Sequence, residues 1–122
     1  MQKVLLVEDE RSIRQALTFE LEEAGYEVIP AASFSEAYSY LQIFQPDLII
    51  SDLFFGEKGG DGIRLLNQVQ NSETPIPFIA MTAFPETNLA RQAQTVLNDR
   101  FFVKPFPAPI LTEKITEILS AA

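Results

Sequence analysis

The 122-residue sequence predicts an α/β domain built on a five-stranded parallel sheet, doubly wound so that helices cover both faces. Three observations lead there. Short runs of β-branched and apolar residues alternate with stretches of helical period, and five such pairs can be counted along the chain. Helix start and stop signals fall between the runs. A 47% apolar content over this length fills one core, so a single domain spanning 1–122 is expected.

Strands are expected at Lys3 to Val7, Tyr26 to Pro30, Asp47 to Ser51, Pro77 to Thr82 and Arg100 to Lys104, with Pro30 and Pro77 suiting strand ends. After the first strand, Ile13, Ala16, Leu17, Leu21 and Ala24 recur at spacings of three and four, which places them on one helix face; Gly25 is the stop. Ser33 with Glu36 three residues on forms a capping box, followed by Ala37, Tyr38, Leu41 and Phe44 along one stripe, and Pro46 closes that helix. Asp61-Gly62 opens a third helix with Ile63, Leu66 and Val69 inward. Leu89, Ala93 and Val96 suggest a fourth. Ile110, Ile115, Ile118 and Leu119 line a fifth; no internal repeat appears, and no linker or effector module is expected.

Seventeen acids against nine bases give a net charge of −8, which repels phosphate backbones and anionic membranes and argues against direct nucleic-acid binding. No cysteine and no histidine are present, so disulfides, thiolate chemistry and the commonest general base are excluded. Chemistry must run on carboxylates, hydroxyls and lysine. No apolar run approaches a membrane span or signal peptide, so a cytoplasmic protein is expected.

In open parallel sheets, ligand chemistry collects beyond the carboxyl ends of the strands. Glu8 and Asp9 follow the first strand, Asp52 follows the third, Thr82 closes the fourth, and Lys104-Pro105 closes the fifth. Each residue alone has an ordinary reading. Acids such as Glu8, Asp9 and Glu10 favour a helix N-terminus, Asp52 suits a turn, Thr82 a cap, Lys104 a solvated surface, and Pro105 a strand stop. Their joint placement at four strand ends points instead to a shared site.

The set suits phosphoryl transfer without histidine, because a carboxylate such as Asp52 is ionised at neutral pH and needs no base to act as nucleophile. An anion must then attack an anionic phosphoryl group, and a hard cation held by oxygen ligands screens that repulsion. Mg²⁺ keeps several waters and takes one or two carboxylates, so Asp9 and Asp52 are expected to ligate it while Glu8 acts through water. Lys104 adds the remaining positive charge. Without metal, three clustered carboxylates repel one another, and the site stores a switch.

These residues resemble the response-regulator receiver family in Val4-Leu-Leu-Val-Glu8-Asp9-Glu10, Pro46-Asp47-Leu-Ile-Ile-Ser-Asp52-Leu53, Asp61-Gly62, Pro77-Phe-Ile-Ala-Met-Thr82-Ala83 and Val103-Lys104-Pro105-Phe106, nearly end to end. The resemblance implies a flavodoxin-like (βα)5 receiver fold with sheet order 2-1-3-4-5. It implies that Asp52 is the phosphoacceptor, that Glu8 and Asp9 are the acidic pair, and that the Phe54 carbonyl completes an Mg²⁺ site. Thr82 and Lys104 resemble the pair that grips the phosphoryl oxygens, Phe101 the aromatic switch that turns inward when the threonine moves, and Lys104–Pro105 a cis turn that aims the lysine into the pocket. Phe54 and Phe84 would border the phosphoryl group. The implied partners are a histidine kinase or histidine phosphotransfer protein and, on the face made by the fourth helix, fifth strand and fifth helix, a downstream protein or a second copy. The function implied is a phosphorylation-driven switch with slow self-dephosphorylation, not a metabolic enzyme.

Three departures stand out. The loop from Asp52 to Asp61 is about two residues shorter than usual, with Gly56 where a proline is common. Leu97-Asn98 replaces a Gly-Ala pair before the fifth strand, and Phe101 lacks a tyrosine hydroxyl. A static interaction module of the same fold is the main alternative, and the intact charge cluster speaks against it. A flavin-binding protein needs a phosphate-cradling loop where Glu8-Asp9-Glu10 stands, and an aspartate phosphatase needs a second Asp that Asp9-Glu10-Arg11 lacks.

Overall fold

The computed structural model describes residues 1–56 and 58–120. Strands β1 (Lys3–Val7), β2 (Glu27–Ala31), β3 (Leu48–Asp52), β4 (Phe78–Thr82) and β5 (Phe101–Val103) alternate with helices α1 (Arg11–Glu23), α2 (Phe34–Phe44), α3 (Asp61–Gln70), α4 (Asn88–Leu97) and α5 (Ala108–Ser120). The sheet is parallel in the order β2-β1-β3-β4-β5. This is the doubly wound, flavodoxin-like order implied by the resemblance.

Period-2 alternation in the strands divides the core into two layers. Leu5, Val7, Ile49, Phe78, Ala80 and Phe101 pack under α2, α3 and α4, while Val4, Leu6, Leu48, Ile50, Ile79 and Met81 pack under α1 and α5. Burial of each such Leu or Ile contributes roughly 1.5–3 kcal/mol, so the central strands are held on both faces.

Several expectations shift by a residue. Pro30 lies inside β2, tolerated because β2 is an edge strand whose outer side has no ladder to lose. Asp52 is the last residue of β3 and not the first after it. In α4 the buried positions are Ala90, Ala93 and Leu97, whereas Leu89 and Val96 are exposed; the helix is turned one residue from the expected stripe. Tyr38 and Phe44 also lie outward on α2, where Tyr38 stacks on Phe34 and Phe44 meets Tyr40 edge-on. Ala16 on α1, Ala24 at its C-cap and Ile110 on α5 are likewise exposed. The Leu97-Asn98 exit works because Asn98 takes φ 57° and donates its N–H to Gln94 O at 2.7 Å.

The β3–α3 connection positions the site. Leu53 and Phe55 plug into the core, and Gly56 and Gly59 take positive φ. Gly62 lets α3 approach the end of β3: a Cβ there would collide with the carbonyl oxygens of Asp52 and Leu53. Ile63 N–H donates to Leu53 O at 3.2 Å across that close approach.

Candidate functional site

The same alternation decides which side chains meet. Glu8, Asp52 and Lys104 continue the positions of Leu6, Ile50 and Phe102, which face α1 and α5, while Thr82 continues Phe78 and Ala80, which face α2, α3 and α4. Three charges therefore converge on one face at the carboxyl end of the sheet. Lys104 Nζ lies 2.6 Å from Glu8 Oε1 and 2.7 Å from Asp52 Oδ2. Lys104 N–H extends the sheet by donating to Thr82 O at 2.8 Å, and the Lys104–Pro105 peptide is cis.

Burial makes this triad strongly interacting. Glu8 is wholly buried, Asp52 is 7% exposed, and the Lys104 side chain is 17% exposed. Burial pushes the Glu8 carboxyl above its usual range, and its hydrogen bond and attraction to Lys104 offset this only in part, with Asp52 adding repulsion. Burial also acts to depress the Lys104 ammonium, but its bonds to Asp52 and Glu8 outweigh that and hold it above the ordinary lysine range. One ammonium serves two carboxylates, so the pocket carries an excess negative charge.

Asp9 and Glu10 are exposed on the loop between β1 and α1, directly after Glu8. Glu10 caps α1, accepting from the Ser12 hydroxyl at 2.6 Å and the Ser12 N–H at 3.4 Å, and the hydroxyl bond holds its carboxyl below the usual range. Glu8 Oε2 accepts the Glu10 N–H at 3.4 Å. Arg14, which the sequence reading passed over, donates from Nη1 to Glu8 O at 2.8 Å and Asp9 O at 3.3 Å.

The donor set fits a hydrated hard cation. Among the described residues no three His, Cys, Asp or Glu side chains gather as a metal cage. Mg²⁺ asks for no cage: it keeps several waters and takes one or two carboxylates. A buried Asp52, an exposed Asp9 next in the chain after Glu8, carboxylate oxygens as donors and an uncompensated negative charge meet that requirement.

Thr82 is buried, and its Oγ1 accepts the Phe84 N–H at 2.9 Å. Phe101 is already inward, with Ala90, Ala93 and Leu97 of α4 in its layer of the core. Asp52 Oδ1 accepts the Phe54 N–H at 3.1 Å. The Phe54 and Phe84 rings meet edge-to-face, centroids 6.4 Å apart and planes at 61°. Gly62 and Arg14 are the contributors that residue type did not reveal, because both act on backbone carbonyls. A basic residue one turn into a helix that follows an acidic strand end is the signal that could have found Arg14.

Comparison with known proteins agrees with this fold. The model of the family described as "Response regulator receiver domain" matches residues 4–116. The phosphate regulon transcriptional regulatory protein PhoB of Pseudomonas aeruginosa is 32% identical over 118 residues, covering 95% of this chain and 51% of that protein. The chain spans about half the length of the curated relatives it matches. Among solved structures, the chemotaxis response regulator CheY4 of Vibrio cholerae is 30% identical with a TM-score of 0.79, covering 97% of this chain and 98% of that one. The response regulator protein TrrA of Thermotoga maritima, solved in complex with Mg(2+)-BeF, is 28% identical with a TM-score of 0.79, covering 96% and 98%.

Proposed function

This chain belongs to the response regulator receiver domain family, and from that premise we propose that the Asp52 carboxylate takes up a phosphoryl group in an Mg²⁺-assisted transfer. Receiver domains of two-component response regulators are phosphoacceptors in signal transduction, bind Mg²⁺ and partner with histidine kinases. The observation that carries the assignment to Asp52 is the bridge from Lys104 Nζ to both Asp52 and Glu8 in a buried pocket with one acid in excess.

In the transfer, an Asp52 oxygen forms the new O–P bond as the N–P bond of a phosphohistidine, on a histidine kinase or histidine phosphotransfer protein, breaks. The freed imidazole leaves with a proton from solvent. Asp9, Asp52 and the Phe54 carbonyl would hold Mg²⁺, with Glu8 acting through water, and the ion would supply charge stabilisation to the phosphoryl oxygens. Lys104 neutralises a phosphoryl oxygen when it leaves its bond to Asp52. An apolar trough lined by Ile13, Ala16, Leu17, Ala83, Pro105 and Phe106 opens beside Lys104 and offers the donor protein a seat within reach of Asp52.

Output follows from Thr82. Its hydroxyl, drawn to the new phosphoryl oxygens, releases the Phe84 N–H and loosens the β4–α4 loop. Because Phe101 already lies inward, its part is to keep that position and not to travel into it. The surface so altered carries exposed Leu89 and Val96 of α4, Val103 of β5 and Ile110 of α5, where a downstream protein or a second copy binds. With a net charge of −8, readout by this chain is directed to protein and not to nucleic acid. One receiver unit across 1–122, placed in the cytoplasm, goes with this reading; among the described residues no helix is long and apolar enough to cross a membrane.

The test is an intact-mass measurement after incubation with a small acyl phosphate and Mg²⁺. One phosphoryl group is expected on the wild type and none on Asp52→Asn or with chelator. Uptake by Asp52→Asn would overturn the assignment, and no uptake by the wild type would favour a phosphorylation-independent interaction module.

A further inference from the structure

We infer that Arg14 is a positioning residue for the cation-binding loop, fixing the direction in which Asp9 leaves the backbone. The inference rests on the Mg²⁺ reading proposed above. Arg14 Nη1 donates to Glu8 O at 2.8 Å and to Asp9 O at 3.3 Å. Those carbonyls belong to the two peptide planes that flank the Asp9 Cα. Planar peptides leave Asp9 only φ and ψ between them, so pinning both planes fixes both angles and the Asp9 Cβ direction with them. Charge-assisted bonds from a planar guanidinium suit this task, since one rigid group holds both acceptors.

The guanidinium works through the backbone. Among the described residues Arg14 forms no ion pair with any carboxylate, although Glu8, Asp9 and Glu10 are all near in sequence. The Glu8 carboxylate is occupied by Lys104 and the Glu10 N–H, and the Glu10 carboxylate by Ser12. This separates two roles by sign. If Arg14 acted by charge alone, removing a cation from beside the acids would tighten Mg²⁺ binding. If it holds Asp9 in place, removal loosens it, by about tenfold as for other groups that orient a metal ligand.

The experiment is a calorimetric titration of the metal-free full chain with Mg²⁺, comparing wild type, Arg14→Ala and Arg14→Lys, with thermal melts of each. Arg14→Ala is expected to raise the Mg²⁺ Kd about tenfold, and Arg14→Lys, which keeps the charge but replaces the rigid guanidinium with a flexible ammonium, to fall between. An equal or lower Kd in Arg14→Ala overturns the inference while leaving the Mg²⁺ reading intact. Should Arg14→Ala melt below the titration temperature, Arg14→Lys decides alone, and an unchanged Kd overturns it. A wild type that takes up no Mg²⁺ overturns the metal reading, and the inference with it.

Discussion

Replacing Lys104 by methionine keeps most of the aliphatic stem and removes the one ammonium that Glu8 and Asp52 share, at 2.6 and 2.7 Å. All three side chains are less than a fifth exposed, so solvent does little to replace it. Removing one partner from a buried ionic cluster costs about 3–5 kcal/mol, because the remaining charges stay desolvated and repel. For a chain of this size that corresponds to a fall in Tm of roughly 10–20 °C. The pH dependence has a definite sign. Burial already raises the folded-state Glu8 carboxyl above its unfolded value of 4.5, and loss of Lys104 raises it further. The folded state then binds the proton more tightly, so the penalty is full at neutral pH and shrinks as pH falls through the raised value toward 4.5. Thermal melts in chelator from pH 4 to 7 measure this. Glu8→Gln added to Lys104→Met should recover part of the loss, since one of the two unpaired charges is gone. A Lys104→Met variant within about 1 kcal/mol of wild type at pH 7, well short of the expected cost, or a double variant no more stable than the single, would refute the shared-cation account.

Phosphoryl lifetime should depend on the Phe54–Phe84 pair, whose apolar rings offer no hydrogen bond to an attacking water. Phe54→Asn and Phe84→Glu are expected to quicken decay of the phosphorylated protein, together more than singly, with about 1.4 kcal/mol of barrier per tenfold; unchanged decay means the rings are not the gate. Gly62→Ala should destabilise the chain by about 1–3 kcal/mol in denaturant titration, overcoming alanine's better helix propensity, because the methyl must push α3 from the Asp52 and Leu53 carbonyls. Stability equal to wild type would show that the approach relaxes freely. Amide exchange at the β4–α4 loop, α4 and β5 should rise or fall between Mg²⁺ alone and Mg²⁺ with a phosphoryl mimic, and identical exchange would remove Thr82 as the relay.

How much of this was legible in the sequence depended on whether residue type or backbone proximity carried the feature. The strands announce themselves as apolar runs, and Glu8, Asp52 and Lys104 are charges at strand ends, where a parallel sheet must leave them together. Helix α4 was harder. Leu89, Ala90, Ala93, Val96 and Leu97 place apolar groups on two overlapping stripes, and periodicity cannot say which one the sheet covers. The same holds for Tyr38 and Phe44, large rings that stack sideways on α2 instead of entering the core. Gly62 and Arg14 were invisible for another reason. One serves by having no Cβ and the other by reaching main-chain oxygens, so neither advertises its role in its chemistry. The inward Phe101 also required the fold, since register with Ala80 sets it under α4.

The most direct test of Asp52 as the nucleophile is chemical mapping of the phosphorylated chain. Borohydride reduction of an aspartyl phosphate gives homoserine at that residue alone, and tandem mass spectrometry of the peptide spanning β3 reads its position. Homoserine at position 52, formed only when Mg²⁺ was present during phosphorylation, is the expected result. Homoserine at position 9, the 5-hydroxynorvaline that reduction of a glutamyl phosphate leaves at position 8, or a borohydride-stable phosphate on Ser51 or Thr82 would contradict it.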